Sequence, residues 1–60
     1  MKFKVGDKIR VVHAIDKEVE ELIGRVGKIR DIAEYDDDYY SVELENGDWI
    51  ELFEEELEII

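Results

Sequence analysis

Side chains alternate along the chain from Lys8 in "KIRVVHA", where Ile9, Val11 and His13 oppose Arg10, Val12 and Ala14, with β-branched residues on both faces. A period of two with that composition predicts a strand, entered here from a "VGD" turn. The period then lengthens. In "IDKEVEELIG" the apolar residues Val19, Leu22 and Ile23 stand at i, i+3 and i+4, Asp16 occupies a capping position, and Gly24 suits a left-handed stop. A short helix of two turns is expected there, inside a long loop. "RVGKIRDIAEY" resumes β character, and Gly27 within it predicts a bulge or a sharp bend. "DDD" at Asp36 to Asp38 reads as a solvated turn.

The segment "YYSVELENGDWIELF" is a hairpin whose register can be worked out. A two-residue Asn46-Gly47 turn would set Leu44 opposite Trp49, Val42 opposite Glu51 and Glu43 opposite Ile50, which mixes charge with apolar residues on each face. A three-residue loop of Glu45, Asn46 and Gly47, with Gly47 left-handed in a G1 bulge, instead pairs Val42 with Ile50 and Tyr40 with Leu52. One face then becomes wholly apolar. The other carries Glu43 opposite Trp49, Ser41 opposite Glu51 and Tyr39 opposite Phe53, so Tyr40 belongs to the core while Tyr39, Trp49 and Phe53 form an outer aromatic stripe. "FEEELEII" closes the chain with a tight turn at Glu54 to Glu56, Leu57 directed inward, and a last short strand through Ile59 and Ile60. Five short strands with bends and one long loop predict an all-β small barrel with one short helix or helical turn in the first long loop.

Length limits what this barrel can bury. A chain of 60 residues is expected to form one domain, 1–60, with one small core, because a fold of that size hides only about 60% of the surface its unfolded form exposes. Cysteine is absent, which removes disulfides, a thiolate nucleophile and thiolate metal sites. "MKFKVGDKIR" has no apolar run of signal-peptide length, and no run elsewhere is long enough to cross a bilayer. A soluble, cytoplasmic monomer is expected. With 18 acidic residues against eight basic ones the net charge is -10, which opposes binding to nucleic acid and to anionic membranes and favours a basic or neutral protein surface if any partner exists. The chain also lacks Pro, Thr and Gln, and has one Ser and one Asn. Such a narrow alphabet fits an idealised sequence, designed or adapted to heat.

Candidate chemistry is sparse. His13 has no second histidine or cysteine to complete a zinc site. Ser41 has no identifiable base or oxyanion donor. "DDD" departs from the calcium-loop pattern, since Tyr40 takes the third ligand position and no Gly follows. The carboxylates of "FEEELE" would need a cleft that so small a barrel scarcely contains, and read as a solvated turn. No catalytic residue, metal ligand or cofactor is assigned, and the candidate protein-binding residues are Tyr39, Trp49 and Phe53.

Taken together, "VGDKIRVV", "IGRVGKIRDI", "YYSVELENG" and "LFEEELEII" resemble SH3-like barrels, in pattern closest to photosystem I reaction-centre subunit IV and the variable chain of ferredoxin-thioredoxin reductase. The resemblance implies a five-stranded SH3-like barrel that binds other proteins and catalyses nothing. Subunit IV docks acidic electron carriers through basic residues, whereas this chain is strongly acidic, which speaks against that partnership. The leading expectation is an idealised or de novo designed scaffold with no evolved ligand and no required partner. Two alternatives stand beside it: a protein-binding accessory domain using the aromatic stripe and an acidic rim, and an acidic mimic of nucleic acid.

Overall fold

Five antiparallel strands build one sheet in a computed structural model that describes residues 3–33 and 39–60. They are β1 Lys8–Val11, β2 Val26–Ile32, β3 Tyr39–Leu44, β4 Trp49–Phe53 and β5 Leu57–Ile59, in the spatial order β4-β3-β2-β1-β5. This is the all-β, SH3-like small barrel expected from the alternation. Its interior holds Phe3, Ile9, Val11, Val19, Ile29, Tyr40, Val42, Leu44, Leu52 and Leu57. Tyr40 is fully buried, its ring meeting Phe3 edge-on with centroids 5.3 Å apart, and its hydroxyl accepts the Phe3 N–H at 3.4 Å.

The β3–β4 hairpin has the three-residue loop and the register that its apolar face demands. Tyr40 pairs with Leu52 and Val42 with Ile50 on one side; Tyr39 pairs with Phe53, Ser41 with Glu51 and Glu43 with Trp49 on the other. Gly47 has φ +95°, a left-handed conformation that costs residues with a Cβ about 1–2 kcal/mol. Its N–H donates to the Leu44 carbonyl at 2.9 Å, and the Leu44 N–H donates to the Asp48 carbonyl at 2.8 Å. The Asn46 side chain locks the loop by accepting the Asp48 N–H at 3.0 Å.

Three local expectations require correction. β1 ends at Val11 rather than running to Ala14, because the Val12 and His13 N–H groups turn to the Glu56 carbonyl at 2.8 and 3.4 Å. The expected helix is a 3-10 helix, Lys17–Leu22, without a side-chain cap from Asp16. At three residues per turn Val19 and Leu22 share a face while Ile23 rotates away; Val19 is buried and Ile23 is exposed. Gly24, as expected, has φ +93°.

The third correction concerns Gly27, which sits in regular pairing between Ile9 and Leu44. A Cβ there would lie 2.5 Å from the Glu43 carbonyl oxygen, so glycine permits close approach of β2 and β3. The register shift lies beyond it, between Ile29 and Asp31, where Arg30 is the extra residue. The final 3-10 turn, Glu54–Glu56, and the burial of Leu57 follow the sequence reading. Asp36 to Asp38 lie outside the described residues.

Candidate docking face

Opposed residues of an antiparallel pair project to the same side. The outer face of β3 and β4 therefore carries three rows: Glu43 with Trp49, Ser41 with Glu51, and Tyr39 with Phe53. Tyr39 and Phe53 meet edge-on, centroids 6.0 Å apart and planes at 79°, and both are half-buried. Trp49 stands at the other end of the strand, 61% exposed. It forms with Ser41, Ile50 and Glu51 the wall of a shallow surface hollow. Four residues of extended chain separate Trp49 from Phe53, about 13 Å, so the stripe is an aromatic pair and a solitary indole with a carboxylate between them.

Across β1 and β2 the same outer face is predominantly cationic, with Asp31 its one carboxylate. Ile9, Val11, Gly27 and Ile29 are buried, which turns Lys8, Arg10 and Lys28 outward. Arg30 follows by the same alternation, its Nε donating to Glu43 Oε1 at 2.7 Å, and the bulge turns the next residue, Asp31, outward opposite Ser41. Half of the eight basic residues thus gather on two neighbouring strands of a chain whose net charge is -10. Alternation in "KIRVV" and "VGKIRD" puts these cations on the outer face; net charge alone conceals the cluster. A shallow hollow lined by Lys8, Lys28, Arg30, Glu43 and Glu45 runs over Gly27.

Glu56 is a further residue that the sequence reading missed. It stands in a triplet of glutamates read as solvated, yet it is only 2% exposed. Its Oε1 accepts the Phe53 N–H at 2.8 Å and its Oε2 accepts the Ile15 N–H at 3.1 Å. Two backbone donors satisfy the buried carboxylate, so Glu56 is a structural clasp. The signal available in advance was its spacing: three residues after Phe53 is where a side chain reaches back to cap a short helical turn. His13 is exposed, and no group of three or more candidate metal ligands occurs among the described residues.

No protein-family model matches the chain, and no curated protein matches it significantly. Among solved structures, the solution structure of PetP, a subunit of the cyanobacterial cytochrome b6f complex, matches with a TM-score of 0.79 at 24% sequence identity, over 97% of this chain and 80% of that one. The two chains share a fold. PetP is neither of the two proteins whose pattern the sequence resembles, so that likeness reaches only as far as the small barrel.

The match to PetP overturns several expectations. PetP is a natural complex subunit with this fold, which counts against the idealised or de novo scaffold with no required partner. The expectations of a solitary monomer, a cytoplasmic location and no membrane contact run against the same finding, since PetP is a subunit of the cytochrome b6f complex. The physical reason for the error is plain. Good local propensity and a narrow alphabet describe how well a sequence folds, and are silent on what its outer face touches.

Proposed function

We propose that this chain is a non-catalytic accessory subunit that docks on a larger, membrane-associated protein complex through the outer face of its sheet. The observation that carries the reading is Trp49, the most exposed of the large apolar side chains, standing on a regular strand with 61% of its surface in water. Tryptophan is enriched among residues that dominate binding, and one that reaches a partner pocket contributes about 2 kcal/mol or more. The likeness of fold to PetP supports the same class of role. No helix among the described residues is long and apolar enough to cross a membrane.

The test is sedimentation of detergent-solubilised membranes from cells that express the tagged chain. The wild type should travel with a large complex of defined composition, and Trp49→Ala should shift to the top of the gradient. A wild-type chain found only as the free 7.1 kDa species would overturn the reading.

A further inference from the structure

We propose that the β1–β2 half of the sheet, centred on Lys8 and Lys28 with Arg10 and Arg30, is a docking site for a carboxylate-bearing segment of a protein partner. The inference rests on the docking role proposed above and names the chemistry of the partner.

The pairing itself is the strongest argument. Lys8 and Lys28 are direct cross-strand partners, and like charges so placed oppose sheet formation. A chain with 18 acidic residues has ample means to put a carboxylate at either position. Glu43 does stand opposite Lys28 on the other side, but its carboxylate is engaged by Arg30 at 2.7 Å. Glu58 stands opposite Arg10. Neither lysine has an ion pair among the described residues. The fold therefore holds two like-charged lysines without an ion pair beside a hollow whose own carboxylates, Glu43 and Glu45, do not bond to them, and an incoming carboxylate is the group that would engage them.

Size points the same way. A specific interface covers about 800 Å² per partner, roughly a fifth of this chain's 4223 Å². β3 and β4, of six and five residues, offer a rectangle of only about 10 by 17 Å, and a partner seated on Trp49 has β2 and β1 as the continuation of the same face. The register provides a continuous track. Lys8, Lys28, Glu43 and Trp49 are successive partners in one row across four strands, spanning about 14 Å. A segment that covers the indole at one end brings its acidic residues over the lysines at the other. The net charge of -10 disfavours extended polyanions, which carry repulsion far beyond the patch, more than a short segment whose few carboxylates lie within a Debye length of the cations.

Two measurements test the site. First, the folded chain is titrated at about 0.15 M salt with the extended peptide acetyl-Glu-Leu-Glu-Leu-Glu-amide, and amide resonances are followed by NMR. Shifts should centre on Lys8, Arg10, Lys28 and Arg30. They should weaken about tenfold with the Gln-for-Glu peptide and about tenfold in Lys8→Gln/Lys28→Gln, whose urea midpoint checks its folding. Lys17→Gln, on the 3-10 helix, should titrate like the wild type. Equal response to both peptides, or shifts elsewhere, would overturn the site. Tighter binding of phosphatidylglycerol vesicles or of a thymidine oligonucleotide would overturn the carboxylate assignment. Second, the double variant is run in the sedimentation experiment. Its retention on the complex, with Trp49→Ala released, would overturn the cationic site and leave the docking role standing. Absence of the wild type from any complex would remove the docking role, and the peptide titration would still decide the site.

Discussion

Glu56 shows how far a residue's neighbours in space can differ from its neighbours in sequence. Glu54 and Glu55 flank the same turn and are less buried, while Glu56 points inward and satisfies the Phe53 and Ile15 N–H groups. Glu56→Ala should cost about 2–3 kcal/mol in urea denaturation, because two partly buried donors lose their acceptor; a loss under about 0.5 kcal/mol would show that water replaces the carboxylate freely. Adjacent tyrosines give a second contrast. Tyr40→Ala should cost about 3 kcal/mol as a large-to-small core change, and Tyr39→Ala under about 1.5 kcal/mol, since Tyr39 is half-buried and meets the Phe53 ring edge-on. Equal losses would contradict the assignment of faces. Alternation separates these two tyrosines in the sequence because strand periodicity is local; the inward turn of Glu56 depends on Ile15, 41 residues away, which no local pattern encodes.

At the scale of elements, the sequence reading succeeds where one physical demand governs the geometry. The β3–β4 register follows from the need for one apolar face, and a one-residue slip would expose Val42 and bury Glu43. Where two demands compete the reading weakens. The spacing of Val19, Leu22 and Ile23 satisfies an α-helix, but anchoring of Val19 and Leu22 on the core suits a tighter 3-10 helix that leaves Ile23 in solvent. Gly27 likewise admits both a bend and a close approach, and only the pairing partner decides between them. Two glycine substitutions distinguish these demands. Gly27→Ala should cost about 2 kcal/mol, since its Cβ would press on the Glu43 backbone carbonyl, which cannot rotate aside. Gly47→Val should cost about 1 kcal/mol or more through backbone strain alone, because the space around Gly47 is open. Wild-type urea midpoints for both would mean that the β2–β3 spacing and the loop conformation are softer than the structure indicates.

For the whole molecule, charge acts on two length scales. Summed over the chain it is -10, and that total led to the expectation of a basic or neutral partner. On β1 and β2 the outer face carries Lys8, Arg10, Lys28 and Arg30 against Asp31 alone, so the site proposed there departs from the sum. The global repulsion remains real and is open to measurement. Raising sodium chloride from about 0.01 to about 0.2 M should increase the urea midpoint, since screening relieves repulsion among the carboxylates and sacrifices little in the exposed Arg30–Glu43 pair, worth at most about 1 kcal/mol. A midpoint that falls with salt would reveal an ion-pair network stronger than the repulsion.

The bond from the Ile15 amide to Glu56 makes that amide a gauge of closure. Its hydrogen is held by a carboxylate that arrives only once β4 and the final turn have folded back against the first loop. Loop amides ordinarily exchange with solvent through small local openings. Ile15, whose own side chain is 49% exposed, should instead exchange as slowly as the central amides of β2 and β3, and should speed up selectively in Glu56→Ala. Deuterium uptake at this one position would thus time the moment at which the two ends of the fold meet.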